Sequence, residues 1–539
     1  MKKVLFFLLF GFLIKDFGSA QTKTEYENFN ITRTEIRKKN PHFFELAYVG
    51  TDSGCYYGLS IPESQFIKNV LEKKLKQYRV FRVDSSLNYT AVELPSKIEG
   101  KKVTTEFMLK LKDDFYVFSS FNNRKHKKNY LFAQKINKQT LTVLPEAKMV
   151  AEVDYSDFSD YKNTSFNYVY SADSSKVLIS HNLTNKDKII LKMGMTLFDD
   201  GLNKQWHTDK IPIPEEGFFT IDQIEVCKNG DLFLLGKLND NKREMKQQIG
   251  YLNYTYRAVL LYDNGQKAAH FPLTIPDNWV YRLSCILSKD DNILHCVGIY
   301  VSSETSKIAG VCSFNIDKNR KAISKQNLTP FNSDLPLAKH IIEREKPTGE
   351  KIFSTIGLVS YYHFYFFIRK PIMDKDGSFW MITEKVKEEP HFNNSIIPAF
   401  KDLYVTKFDS TGNVSWTSRI EKSLSVYPGE FNVGSYNAHP INGKLNLIYT
   451  SEKTNKKHTI EKALKHINVG IESVGGRKFY VTTLSENGEV HEAIFSAIKQ
   501  DKTMLKDSGM GYFSENSLFG YENFGEGYKK YRFFKIDFK

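Results

Sequence analysis

The residues of this chain that could do chemistry are few, and their spacing matches known kinds of site only in part. Residues 373–377 (Met-Asp-Lys-Asp-Gly) place two carboxylates and a glycine as in a fragment of an Asp-rich calcium loop. A calcium ion needs roughly six to eight oxygen ligands, so the fragment predicts a turn and no ion. The adjacent acidic residues at 199–200 and 290–291 receive the same interpretation.

Histidine, cysteine and serine also lack the spacing of a known site. The 13 histidines include no HxH or HExxH pattern, the five cysteines no Cys-x-x-Cys pair, and no serine lies in a Gly-x-Ser-x-Gly motif. His295 precedes Cys296, but neighbouring residues of a strand face opposite ways. We therefore assign no catalytic, cofactor-binding or metal-binding residue. Side chains that converge from distant parts of the chain have no such local spacing, so catalysis stays open.

One pair of cysteines lies at a suggestive distance. In the segment 282–300, a hairpin that turns at Asp290 and Asp291 would place Cys285 directly opposite Cys296. Such a pair could form a cross-strand disulfide, although these bridges are often strained. An odd, sparse set of cysteines is not a disulfide framework, so we expect buried free thiols.

The elements that must position these residues are β-hairpins. Residues 401–420 show the pattern best: Leu403 and Val405 alternate with Tyr404 and Phe408, a turn follows at residues 409–412, and a second strand carries Val414 and Trp416. Aspartate and glycine suit tight turns, whereas β-branched and aromatic residues suit strands.

The same hairpin recurs along the chain. Equivalent turns occur at Asp84, Asn137, Asp199, Asp263, Asp317, Asp409 and Glu486. Most units hold two such turns and three or four short strands. One small sheet cannot bury both of its faces alone, whereas sheets packed around an axis can. The repeat therefore predicts an all-β chain, a β-propeller of four-stranded antiparallel blades, with a double propeller or a pair of β-sandwiches as the alternative.

This repeated strand–turn–strand pattern resembles the β-propeller repeat superfamily over residues 43–538. It lacks the Gly-His and Trp-Asp marks of WD repeats and the Gly-Gly of kelch repeats. We count eight hairpin units and favour eight blades over seven. The last unit ends after three strands, so we expect residues 26–36 to supply its outermost strand. Trp206 and Trp416 occupy similar places in two units, which indicates packing between blades.

Four stretches depart from the repeat. Residues 62–78 and 453–468 indicate short helical insertions in loops, and residues 335–346 indicate a short helix or an extended loop. Residues 361–367 (Tyr-Tyr-His-Phe-Tyr-Phe-Phe) could form an aromatic surface for sugars, but a strand buried between blades has the same composition. We expect burial for this last stretch.

The first 20 residues have the features of a secretory signal. Lys2 and Lys3 precede an apolar run at residues 4–14, and small residues at 18–20 precede Gln21. The run is too short to span a bilayer, which takes roughly 20 residues. We expect a cleaved signal at 1–20, a single propeller domain at 21–539, and an exported protein that is periplasmic or secreted.

The formal charge of +14 is spread over many lysines. Local basic clusters at residues 73–79, 124–128 and 453–465 could attract an acidic polymer, but solvated loop lysines explain them as well. Nucleic acid is an unfavoured partner, because no arginine and aromatic stacking motif accompanies the clusters. The Lys-, Asn- and aromatic-rich composition is similar to that of exported proteins of Bacteroidetes-type bacteria.

These observations give two functional hypotheses. The first is an exported, non-enzymatic propeller that binds a protein or glycan partner through the loops of one face. The alternative is an extracellular carbohydrate-active or other hydrolytic enzyme with its site in the central funnel. The sequence implies no cofactor for either, and fold alone does not decide between them.

Overall fold

The structure is a computed structural model of the 539-residue chain. It describes residues 21–38, 45–61, 78–155, 165–183, 192–209, 211, 218–239, 254–304, 308–331, 352–353, 359–360, 364–390, 396–425, 436–451, 478–496, 504–505, 510–524 and 530–539.

Eight antiparallel sheets form the fold, and seven of them follow one another along the chain as blades 1 to 7. The strands of blades 1 to 3 are Glu45–Asp52, Cys55–Ile61, Arg79–Val83, Tyr89–Glu93; Thr104–Leu111, Asp114–Asn123, Lys128–Ile136, Val143–Asp154; Phe166–Tyr170, Lys176–Leu183, Lys192–Asp199 and Lys204–Thr208. Those of blades 4 and 5 are Phe218–Val226, Leu232–Asn239, Tyr254–Tyr262, Lys267–Leu273; Asn278–Leu287, Ile293–Ser302, Ile308–Asp317 and Ala322–Pro330. Those of blades 6 and 7 are Phe364–Ile368, Phe379–Pro390, Ile396–Phe408, Val414–Ile420; Asn437–Ile441, Lys444–Ser451, Lys478–Leu484 and Val490–Ser496.

Blade 8 joins the two ends of the chain. Its first three strands are Gly511–Ser514, Ser517–Phe524 and Lys530–Phe538, and its fourth is Phe29–Thr34 from the N-terminal region. Residue Phe29 pairs with Phe538, and the register continues to Arg33 opposite Phe534. The strand Gln21–Glu25 pairs along the outer edge of Phe29–Thr34. The fourth strand of the last blade therefore comes from the start of the chain.

Several two-residue strands form short additional pairings. They are Arg37–Lys38 and Met504–Leu505 in blade 8, Ile372–Met373 and Leu424–Ser425 in blade 6, and two separate ribbons, Lys97–Ile98 with Lys101–Lys102 and Ile352–Phe353 with Val359–Ser360. None of them changes the eight-blade count.

The described core consists of eight hydrophobic clusters, one at each interface between neighbouring blades. Going around from blade 1, the clusters contain Phe115, Phe118, Trp206, Phe314, Phe379, Trp380, Phe534 and Phe519, and the last of these joins blade 8 to blade 1. Eight sheets and eight interfaces close a ring. The predicted eight-bladed β-propeller is confirmed.

Successive side chains of a strand point to opposite faces of a blade, so each strand contributes to the clusters on both sides. In the hairpin of blade 6, Leu403 and Val405 belong to the cluster shared with blade 7, whereas Tyr404 and Phe408 belong to the cluster shared with blade 5. A shift of one residue would exchange these faces, so burial of both faces fixes the register. The alternation predicted for this hairpin is confirmed.

Blades 8 and 6 each contain a buried ion pair that links strands or segments of the same blade. In blade 8, Glu522 is fully buried and its carboxylate lies 2.6 Å from Arg532 Nε and 3.8 Å from Arg33 Nε. Arg33 comes from the N-terminal strand, so this carboxylate links the two ends of the chain. In blade 6, the side chains of Lys422 and Glu384 are also fully buried and lie 2.6 Å apart.

The two tryptophans of the repeat dock one blade onto the turn of the next. Trp206 Nε1 donates a hydrogen bond to the carbonyl of Gly230 in blade 4, and Trp416 Nε1 donates one to the carbonyl of Glu486 in blade 7. The Trp416 ring also covers Gly488. The structure bears out the interpretation of these tryptophans as packing between blades.

Among the described residues, no helix is long and apolar enough to cross a membrane. The three predicted insertions lie outside the described residues, apart from Tyr78 at the end of the first.

We predict that Gly488→Ala destabilises the protein by about 1–3 kcal/mol more than Gly54→Ala. Both glycines have positive φ, 86° and 70°, so each substitution costs about 1–2 kcal/mol in the backbone. A Cβ at Gly488 would lie 2.8 Å from Trp416 Cδ2, whereas a Cβ at Gly54 would meet nothing within 4 Å. Urea unfolding of the two variants measures the difference. Equal losses would show that the contact between Trp416 and the turn adds nothing.

Candidate functional site

The two ends of the propeller differ. Because strands alternate in direction, the turns between strands one and two and between strands three and four of each blade lie at one end, which we call the turn end. The connections between strands two and three, and between successive blades, lie at the opposite end, which we call the connection end. Loops on a rigid scaffold are the usual carriers of function, and the longer ones here belong to the connection end.

The turn end is built from side chains that bond to their own turns. Asp409 Oδ1 accepts hydrogen bonds from the backbone N–H groups of Thr411 and Asn413, both at 2.9 Å. In the calcium-like fragment, Asp376 Oδ1 accepts bonds from the Ser378 backbone N–H and hydroxyl, at 2.9 and 2.6 Å, and the hydroxyl bond lowers the pKa of Asp376. The prediction that this fragment is a turn is confirmed.

The first strand of each blade faces the axis, and its inner edge has no strand partner among the described residues. First strands of several neighbouring blades contact one another, so their side chains form the wall of a central channel. We call this surface the channel wall. It is the part of the described structure where side chains from different blades meet around one space.

Aromatic side chains are exposed on the channel wall. Tyr168 and Tyr170 of blade 3 are 38% and 49% exposed, and Phe367 of blade 6 is 39% exposed. The rings of Tyr168 and Tyr170 are nearly parallel, with centroids 6.5 Å apart, and Phe107 of blade 2 lies 4.5 Å from Tyr168. The sequence prediction of burial for residues 361–367 is right for Phe366 and wrong for Phe367, and residues 361–363 lie outside the described residues.

A polar network crosses the channel wall from blade 4 to blade 6. Lys370 Nζ lies 2.6 and 2.8 Å from the two carboxylate oxygens of Glu225. Gln223 Nε2 donates to Glu225 Oε1 at 2.8 Å, and Gln223 Oε1 accepts from the Ser284 hydroxyl at 2.8 Å. Glu225 is buried while the Lys370 side chain is 54% exposed, so the network offers a cation to the channel.

A second charged group lies between blades 4 and 5. Lys237 Nζ is 3.4 Å from Asp222 Oδ2, and it lies 5.0 and 5.4 Å from the ring centroids of Tyr254 and Tyr256. Burial lowers the pKa of Lys237, because the apolar surroundings disfavour the ammonium form. The positive charge of Arg282 on the first strand of blade 5 lowers it further.

The cysteines have the predicted arrangement. Cys285 and Cys296 are directly opposite across the first two strands of blade 5, and both are fully buried. All five cysteines are free thiols, as expected from the sequence. Burial raises the pKa of Cys285, so this thiol is a poor nucleophile.

The described histidines take part in local contacts, such as His207 Nε2 with Asp209 Oδ1 at 3.1 Å. His295 is buried, and its Nδ1 hydrogen-bonds to Asn315 Oδ1 at 2.9 Å. Among the described residues, no group of three or more histidine, cysteine, aspartate or glutamate side chains is arranged to hold a metal ion. The structure therefore gives the charged and aromatic channel wall as the candidate site.

Comparison with known proteins adds little. No protein-family model and no curated protein matches the chain. Among solved structures, it is similar to the polysaccharide lyase Uly1, with 8% identity, coverage of 77% of this chain and 87% of that one, and a TM-score of 0.38. It is also similar to the GH93 α-L-arabinofuranosidase of Fusarium graminearum, with 8% identity, 68% and 92% coverage, and a TM-score of 0.32. A third is the endo-arabinase of Bacteroides thetaiotaomicron, with 11% identity, 63% and 99% coverage, and a TM-score of 0.23.

Such low scores carry no argument about activity. The assignment to the class of eight-bladed β-propellers rests on the strand pairing and the eight interfaces of this chain.

Sequence reasoning missed the members of the channel wall. Tyr168 and Tyr170 are two residues apart on the first strand of a blade, so their spacing in the sequence could have predicted two aromatic rings on one face. The pairing of Glu225 with Lys370 could not be predicted, because 145 residues separate them and only the ring brings them together.

We predict that His439→Phe flattens the dependence of unfolding free energy on pH between 7 and 4. Burial lowers the pKa of His439 from its ordinary 6.5 to about 4, so the folded state holds the neutral ring. The unfolded chain binds a proton below about pH 6.5, so stability falls from there towards pH 4, by roughly 3 kcal/mol for this residue. Phenylalanine keeps the edge-on contact with Tyr512 and removes the proton.

Urea unfolding of both proteins at pH 8, 6, 5 and 4 measures the effect. The two proteins should differ at pH 8 only by a constant offset from packing. Parallel curves over the whole range would contradict the assignment of a neutral, buried His439.

Proposed function

We propose that this protein is an exported glycan-binding propeller that holds a saccharide against the channel wall. The observation that carries the proposal is the exposure of Tyr168, Tyr170 and Phe367 on first strands. Large aromatic side chains dominate the energetics of binding surfaces, and they are normally buried when they serve packing alone. The apolar face of a sugar ring packs on such rings.

Polar groups of the same channel wall suit the hydroxyl groups of a sugar. Lys370 keeps half of its side chain exposed beside Glu225, and the Gln223 amide and Ser284 hydroxyl lie in the same network. Ligand sites of this kind combine an apolar surface with a few fixed polar groups that set orientation. The channel wall has both.

Binding is proposed in preference to hydrolysis because of how the carboxylates are held. Asp222 and Glu225 are on the first strand of blade 4, and each lies next to a lysine. Glycosidases use a pair of carboxylates that face one bond, one of them free to donate a proton. Two carboxylates that are each held by a lysine suit a binding wall better.

Export is part of the proposal and rests on the N-terminal sequence. The charged, apolar and small-residue regions of residues 1–20 have the order of a secretory signal, with cleavage before Gln21. A periplasmic or secreted location would place the channel wall where polysaccharides occur. A protein partner at the connection end is the other outcome that the experiments below can reveal.

We predict that Tyr168→Ala and Tyr170→Ala each weaken binding to the recognised glycan by about tenfold, because each removes one stacking surface. Screening of the mature protein on a glycan array identifies the glycan, and calorimetry of the variants measures the loss. Met149→Ala is the control, since Met149 is 54% exposed on the outermost strand of blade 2, far from the channel.

Thermal melting shows whether the variants stay folded. Unchanged affinity in both tyrosine variants, or a mature protein that binds nothing on the array, would contradict the proposal. Capture of a protein and no glycan in the same conditions would replace it with the other partner class.

A further inference from the structure

Arg282 is a cation of the channel wall that has no partner among the described residues. Arg282 lies on the first strand of blade 5 and is partly exposed. Among the described residues, no carboxylate lies within 4 Å of its guanidinium, and no hydrogen bond of this side chain occurs. Arginine carries five N–H donors in a planar fork, so an arginine in this position has unused binding capacity.

The charges around Arg282 do not cancel. The strand that carries Arg282 contacts the two strands of blade 4 that carry Asp222 and Tyr254, and the Tyr254 hydroxyl donates to the carbonyl of Tyr281, the residue before Arg282. Arg282 therefore lies beside the Lys237–Asp222 pair. Among the residues that the structure describes, this group holds two cations and one carboxylate, and the carboxylate already faces Lys237 at 3.4 Å. The neighbouring pair of Glu225 and Lys370 is balanced by itself. An anionic group would offset the remaining positive charge.

The backbone is irregular at this same place. The register of the first strand of blade 4 shifts between Ile221 and Gln223, and that of blade 5 shifts between Val280 and Arg282. These two strands contact each other. A β-bulge redirects a side chain and is common beside binding sites, and here two bulges lie next to Arg282.

The guanidinium of Arg282 suits a carboxylate. Trp279 and Tyr281 lie on the same strand, partly exposed, and pack against the cluster between blades 5 and 6. The Tyr254 hydroxyl donates to the Tyr281 carbonyl at 2.7 Å and fixes the bulge. A planar guanidinium matches the two oxygens of a carboxylate, because two parallel N–H groups can bind it at once.

We propose that Arg282, supported by Lys237, forms a subsite for the carboxylate of an acidic saccharide, such as a uronate residue in a polysaccharide. This inference rests on the proposed function and specifies its ligand class. It does not involve the basic loop clusters of the sequence, since both residues belong to strands. The charge of the ligand, rather than its sugar ring, is what the subsite recognises.

The test compares a charged polymer with its neutral derivative. Affinity electrophoresis or calorimetry measures binding of the mature protein to polygalacturonate, alginate and fully methyl-esterified polygalacturonate. The inference predicts binding to at least one acidic polymer, at least tenfold weaker binding to the ester, and a similar loss in Arg282→Gln. Because Arg282 bonds to no described residue, this variant should melt at the wild-type temperature.

Arg320→Gln is the matched control. It removes the same charge from a side chain that is 79% exposed in a turn of blade 5, at the turn end of the propeller. This control should bind like the wild type. A general effect of net charge would instead weaken binding equally in both arginine variants, and this would overturn the subsite.

The outcomes separate this inference from the proposed function. Equal binding of the acid and the ester, with loss in the tyrosine variants, would overturn the subsite and keep the glycan-binding proposal. Failure of both acidic polymers to bind also overturns the subsite, and the neutral glycans of the array then decide whether the broader proposal survives.

Discussion

The structure depends on the burial of both faces of every blade between its neighbours. A four-stranded sheet of this size has two apolar faces and no core of its own, and eight interblade clusters are the arrangement that covers all sixteen faces. The cluster between blades 8 and 1 is the one that closes the ring, and Phe519 and Tyr56 meet there with ring centroids 4.1 Å apart. Opening that interface would expose two apolar faces at once.

The same packing of blade on blade involves the turns at the turn end of the propeller. At the turn end, turns dock against the neighbouring blade: the Ser313 hydroxyl donates to the Gly412 carbonyl and the Asn315 amide to the Thr411 carbonyl. Turns that carry such contacts have little freedom to vary.

The fold was predictable because the same strand–turn–strand pattern recurs in each unit of the sequence. The turns at Asp199, Asp263 and Asp409 and the alternation of Leu403 with Tyr404 were enough to predict four-stranded blades. The hairpin geometry likewise predicted that Cys285 would face Cys296. The candidate site was not predictable in this way, because Arg282 and Lys237 become neighbours only when blades 4 and 5 pack together. The spacing of residues in the sequence predicts turns and strands. A site that is shared by two blades forms only when the blades pack into the ring.

The central claim is that Phe29–Thr34 is the fourth strand of blade 8 and closes the ring. Hydrogen exchange of the mature protein, read out on peptides that cover this strand, tests it most directly. The strand pairs on one side with Gln21–Glu25 and on the other with Lys530–Phe538, so its amides should exchange as slowly as those of Lys530–Phe538. Exchange as fast as that of an unpaired tail would contradict a ring closed by the start of the chain.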